Sequence, residues 1–223
     1  MLKRKIVVVV FLIAISVVLV TSHAMAAPSR VFVTSTTYMG GAFGGLSGAD
    51  SICNQRASAG SLGGTYTAWL STSTTDAADR VYHNPDGYIT TNGDMVANSW
   101  EDLINALNVA LLHTINYDEF GMDVGTVQPW TGTDENGQAT GQTCNNWTDS
   151  TSSNYGTAGL TNDVNELWTN YVNDYCYNSY PLYCFENGPR APAVPSMTEW
   201  GMIIFVVLAG LGSVYYIRRS KRA

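Results

Sequence analysis

Two acidic doublets, Asp118-Glu119 and Asp134-Glu135, are the residues whose type suits acid and base work on a sugar, where two carboxylates must face each other across a glycosidic bond. Adjacent side chains point apart, so both doublets are expected to face water. His83 and His113 are too scattered to join a serine and an acid, and Gly45-Leu46-Ser47-Gly48 lacks the spacing of a nucleophile elbow. No catalytic residue is assigned. Cys53, Cys144, Cys176 and Cys184 show no Cys-x-x-Cys spacing and lie far from both histidines, which disfavours a metal centre. Two disulfides are the natural reading in an exported chain, and spacing leaves all three pairings open. Asp134 to Gly137 fails as a calcium loop, because Gly132 and Thr143 occupy the first and last ligand positions, so a hairpin turn explains it better. Tyr171, Tyr175, Tyr177 and Tyr180 surround Cys176 and offer rigid amphipathic area, with half-buried packing expected ahead of a contact surface.

The elements that must position these residues are short. Gly, Ser, Thr, Asn and Tyr dominate, and apolar stretches alternate with turn signals such as Asn84-Pro85-Asp86-Gly87, which suits a loop-rich α+β or mostly β domain. One helix is expected from Ser47, as N-cap, through Ala49, Ile52, Cys53 and Ala57. A second should follow Ser99, with Asp102 completing a near capping box and Trp100, Leu103, Ile104 and Leu107 turned inward. Strands are expected over Val31 to Thr36, Tyr66 to Leu70, Thr126 to Trp130 and Leu182 to Glu186.

Charge and hydropathy divide the chain. Lys3, Arg4 and Lys5, the apolar run Ile6 to Val20, and Ala24-Met25-Ala26 read as a signal peptide over 1–26, leaving a mature chain from Ala27. The formal net charge of -7 hides a stronger asymmetry. Residues 27 to 199 hold four arginines, no lysine and all eighteen carboxylates, a net of -14. Such a field repels nucleic acid, polyanions and anionic lipid, and leaves divalent cations, basic proteins and neutral glycans as partners. About 160 residues between the apolar ends are enough for one domain with a real core.

The run PWTGTDENGQATGQTCNNWTDS, Pro129 to Ser150, followed by Cys176 and LYCFEN, Leu182 to Asn187, resembles the second half of a C-type-lectin-like domain, and most closely its endostatin branch. Trp130 and Gly132, Asp134 to Gly137, Cys144 with Trp147, and Cys184 with Glu186 stand at that branch's motif positions. NSWEDLINAL, Asn98 to Leu107, is similar to its helix start, and the opening from Val31 resembles a family of bacterial exported domains of uncharacterised function, found on spirochaete surface proteins. The resemblance implies one disulfide-bonded α+β domain over 27–188, with Cys53 paired to Cys184 and Cys144 to Cys176. It places Trp69, Trp100, Trp130 and Trp147 in or near the core.

Calcium-dependent sugar binding would need a Glu-Pro-Asn or Gln-Pro-Asp triplet, because calcium takes several converging hard oxygens. Gln128-Pro129 is followed by Trp130, so no cofactor is expected and calcium is the one ion left open. Asn146, Trp147 and Asp149 approximate the second calcium element and are the residues nominated for ligand contact.

Pro189, Pro192 and Pro195 mark a linker over 189–195, and a C-terminal signal spans 194–223. Gly201 to Ile217 is uncharged and about 25 Å long as a helix, enough to cross a bilayer. The basic tail 218–222 would hold the end in the cytoplasm. Val194, Pro195, Ser196 and Met197, then Glu199 and Trp200, resemble the IPTL-CTERM sorting signals of Gram-negative bacteria, relatives of PEP-CTERM tails handled by exosortase-type proteases. The expectation is a non-enzymatic protein, first in the inner membrane with its ectodomain periplasmic, then at the cell surface or in the matrix. Its partners would be signal peptidase, a sorting protease, the membrane through its tail, and a protein or glycan ligand, with no nucleic acid. A polysaccharide-acting enzyme and a purely structural matrix component are the competing readings.

Overall fold

The computed structural model describes residues 27–188, with 204 and 207–210 of the tail. The chain divides into two compact units that part between Arg190 and Ala191. The first is a mixed α/β domain. It runs β1 (Ser29–Val33), β2 (Tyr38–Met39), α1 (Leu46–Ala59), β3 (Tyr66–Ala68), β4 (Tyr88–Thr90), β5 (Met95–Ala97), α2 (Trp100–Leu103), β6 (Tyr155–Ala158), β7 (Val172–Tyr175), β8 (Ser179–Tyr180) and β9 (Tyr183–Glu186).

Five strands form one sheet in the order β3-β9-β1-β4-β5, with β1 parallel to β4 and antiparallel to β9. Residues of a strand alternate between faces, so a sheet covered on both sides divides its side chains between two cores. Val31, Val33, Tyr183 and Phe185 enter one core, joined by Trp69 and Trp168, while Phe32, Cys184, Tyr66, Ala68 and Leu70 enter the other. Three apolar residues in succession at the end of β1 are therefore all buried. Truncating one of the buried tryptophans to alanine would cost about 3–5 kcal/mol.

Helix α1 covers the second core with Ala49, Cys53 and Ala57, one per turn, and the Cys53–Cys184 disulfide fastens it to β9. Its start differs from expectation. Ser47 lies inside the helix, and the N-cap is Gly45, whose φ of 89° suits a residue without a Cβ. Arg80 forks onto both carboxylate oxygens of Asp50 at 2.7 and 2.8 Å and donates to the carbonyls of Ala68 and Leu70, tying α1 to β3.

Helix α2 begins where expected, with Ser99 Oγ accepting from the Asp102 N–H at 3.1 Å, but it ends after one turn. Asn108 and Val109 both donate their backbone N–H to the Asn105 carbonyl, and the Asn108 amide bonds the Asn105 side chain, a local alternative to continuing the helix. Leu107, expected to face inward, is exposed as a result. Thr126 to Trp130 does not form a strand either. Pro129 has no N–H for a ladder, and only Trp130 makes bridges, to Ala158 and Leu182.

The doublet Asp118-Glu119 also corrects its expectation, since both acids are buried. Glu119 pairs with Arg56 and accepts from Ser35 through both N–H and hydroxyl. Asp118 caps its own turn by accepting from Phe120 and Met122 N–H, each at 2.9 Å. Asp134 likewise accepts from Asn136 and Gln138, and its segment is a hairpin turn. Neither doublet forms a carboxylate pair.

In the second unit Ile204 and Val207 to Gly210 are helical and exposed. Among the described residues no helix is long and apolar enough to cross a membrane. The signal peptide at 1–26, the linker at 189–195, the sorting motif from Val194 to Trp200 and the remainder of the span expected over 201–217 lie outside the described residues.

Candidate functional site

The nominated contact residues sit on an unusual piece of backbone. Cys144, Asn145, Asn146 and Trp147 have φ of 48, 54, 57 and 64°, forming one left-handed turn closed by the Trp147 N–H on the Thr143 carbonyl at 2.7 Å. Asparagine tolerates this conformation, whereas cysteine and tryptophan each lose roughly 1–2 kcal/mol in it. Tertiary fastenings offset that cost. Cys144 is held by its disulfide to Cys176, with Gly40 and Gly156 packed so closely on the sulfur that neither has room for a side chain. Trp147 is wholly buried between Phe43 and Trp130 and donates its indole N–H to the Ser71 carbonyl at 2.7 Å.

Trp147 is therefore a core residue and offers no face to a ligand. Asn146 is exposed, and its side-chain oxygen accepts from the Ser73 N–H at 2.8 Å. Asp149 accepts from the Thr151 N–H and the Asn154 amide, and hydrogen bonding from the Thr151 side chain first, then from Asn154 and the Thr151 N–H, holds its carboxyl below the ordinary aspartate range. Asn146 and Asp149 thus serve separate loops. Among the described residues no cluster of three or more His, Cys, Asp or Glu is arranged to hold a metal ion. His83 stacks on Trp100 with ring centroids 3.8 Å apart, and His113 lies 3.7 Å from Asp94; neither hydrogen-bonds a serine or a thiol.

The tyrosines around Cys176 behave differently. In the β6–β7 hairpin Tyr155 stands directly opposite Tyr175, with ring centroids 4.6 Å apart, and Tyr177 stacks on Tyr175 at 5.6 Å. The three rings form a row, 40, 37 and 48% exposed. Tyr171 is also exposed. Half-buried packing, expected ahead of a contact surface, holds only for Tyr180, which lies against Trp130 at 4.7 Å and donates its hydroxyl to Asp174. Burial, and secondly that carboxylate, push the Tyr180 hydroxyl above the usual phenol range, so it stays a neutral donor. The Tyr175 hydroxyl raises that of Tyr155 in the same direction.

The row is fixed from below by the Cys144–Cys176 disulfide and by the Cys176 N–H on the Asn154 carbonyl at 3.1 Å. Beside Tyr180 an open groove of about 400 Å³ is lined by Thr37, Gln128, Leu160, Ser179 and Pro181, with no charged side chain. Tyr155 escaped sequence reasoning because only the strand register brings it to Tyr175. Three large amphipathic rings on a disulfide-anchored hairpin can bind a partner by stacking and hydrogen bonding.

A family model described as a protein of unknown function, DUF1554, matches residues 36–164, more than half of the chain. The matched segment contains Cys53, Cys144 and Tyr155, while their partners Cys184, Cys176 and Tyr175 lie beyond it. No curated protein matches the chain.

Proposed function

This chain belongs to the DUF1554 family of unknown function, and we propose that it is an exported, non-catalytic recognition or adhesion module of C-type-lectin-like, endostatin-like type. The observation that carries the functional reading is the exposed Tyr155–Tyr175–Tyr177 row, three large rings at the surface of a hairpin pinned by a disulfide. The first-to-last and second-to-third cysteine pairing, with β1 lying beside β9, supports the lectin-like part. That all four cysteines are disulfide-bonded suits an oxidising compartment. In this reading the leader directs the chain out of the cytoplasm. The apolar tail then holds it in the inner membrane until an exosortase-type protease transfers it to the cell surface or matrix.

The test is saturable binding of the purified protein to intact bacterial cells and to immobilised peptide and oligosaccharide panels, compared with a Tyr155→Ser, Tyr175→Ser, Tyr177→Ser variant that keeps both disulfides. Binding lost in the variant is expected; binding indifferent to all three substitutions sinks the reading. Intact mass of the same preparation addresses the ends. A species from Ala27 to near Pro195 is expected, and retention of Ala223 in every fraction would remove the sorting protease from the scheme.

A further inference from the structure

Resting on that reading, we propose that the partner of the tyrosine row is a basic polypeptide whose lysine or arginine side chains seat against Tyr155 and Tyr177. The ring geometry argues first. Tyr175 packs against both Tyr155 and Tyr177, so it does not present the flat, open platform on which a sugar ring lies. Tyr155 and Tyr177 each meet no ring other than Tyr175 among the described residues. An aromatic face left free in this way attracts a cation within about 6 Å of its centre. The protein already contains such a contact, since the Arg56 guanidinium lies 5.7 Å from the Phe120 ring centre.

Charge argues second. Residues 27–188 carry seventeen carboxylates, three arginines and no lysine, a net of -14. Arg56 and Arg80 are engaged by Glu119 and Asp50, so the domain has almost no cationic surface of its own. Asp174 lies within electrostatic reach of Tyr155 and Tyr180, and Asp149 holds the loop that delivers Tyr155. A basic segment would be steered to this face by the summed field and oriented there by the rings. An acidic partner would be repelled by the same field.

The full chain in detergent is titrated with short oligolysine and oligoarginine peptides, an oligoglutamate peptide and uncharged glucose oligosaccharides, at low and high salt. Binding of the two basic peptides is expected, weakened by salt, and lowered about two- to fivefold by Tyr155→Ser or Tyr177→Ser, the range for an exposed cation on an aromatic face. Tyr155→Phe and Tyr177→Phe should stay within about twofold of the parent, since the ring survives. Ring-proton shifts of Tyr155 and Tyr177 in the unsubstituted protein should move with oligolysine, a readout independent of any variant. Oligolysine binding insensitive to the ring variants, with unmoved ring signals, would reduce the effect to bulk charge and overturn the proposal. Oligosaccharide or oligoglutamate binding that the Ser variants abolish, without oligolysine binding, would overturn the basic partner while keeping the row as a recognition surface. If no probe responds to the rings, both ideas fall together.

Discussion

Removing the two disulfides one at a time should destabilise the domain unequally. The Cys53–Cys184 bridge closes a separation of 131 residues and Cys144–Cys176 one of 32. In the chain-entropy account the first restrains the unfolded state by about 5 kcal/mol and the second by about 3.7 kcal/mol, a difference of about 1.2 kcal/mol. All four cysteines are wholly buried, so the cavities left by Cys53→Ala with Cys184→Ala and by Cys144→Ala with Cys176→Ala cancel to first order in the comparison. Urea unfolding at neutral pH, read by tryptophan fluorescence, reports both losses through the midpoint. With a slope of about 2 kcal/mol per molar urea, the long-loop variant should unfold some 0.6 M below the short-loop variant, and both well below the parent. A short-loop variant that is equally or more destabilised would refute the loop-entropy reasoning. It would assign the larger role to the left-handed turn that Cys144 anchors.

Gly132→Ala should cost about 2–4 kcal/mol in the same assay, because φ is +58° and a Cβ there would stand 2.7 Å from the Trp147 indole, whereas Gly141→Ala, at φ +84° with nothing within 4 Å, should cost only about 1–2 kcal/mol. Equal losses would mean that the backbone angle alone decides. The loop from Asp149 to Asn154 should loosen in acid. Its carboxyl sits lower in the folded than in the unfolded chain, so its contribution is complete above the ordinary aspartate value of about 3.9 and disappears as pH falls through the lowered folded value. Protection of the Thr151 amide, its exchange relative to the intrinsic rate at each pH, should fall over that acid range in the parent, and in Asp149→Asn it should not change with pH; a parent whose protection is constant in acid would refute it.

Local signals in the sequence are legible where the structure is local. Ser99 caps α2, Asn84 to Gly87 and Asp134 to Gly137 are turns, and Trp69, Trp100, Trp130 and Trp147 are buried. The failures are those in which a distant partner overrides a local preference. Glu119 is buried because Arg56 and Ser35, remote in sequence, supply its charge and hydrogen bonds. Trp168, set in a polar stretch with no periodicity, joins the core through Trp69, 5.2 Å away. The left-handed turn is the clearest case. Its two asparagines permit the conformation, but Cys176, Ser71 and the glycines at 40 and 156 are what hold it, and all but Gly156 are remote in sequence. The tyrosine row was half legible, with Tyr175 and Tyr177 in view and their counterpart Tyr155 hidden in another strand.

The pairing of β1 with β9 has a kinetic consequence. The central strand starts at Ser29, and one of its two neighbours, β9, ends at Glu186, so the sheet cannot close until nearly the whole domain is present. Long separations of this kind make folding slow, because loop closure must precede the contacts that reward it. A chain that emerges from a pore N-terminus first would keep Val31, Phe32 and Val33 unpaired with β9 until its last strand follows. If the chain is exported as proposed, this topology leaves the domain threadable until β9 has followed, and folding is completed where the cysteines can be oxidised.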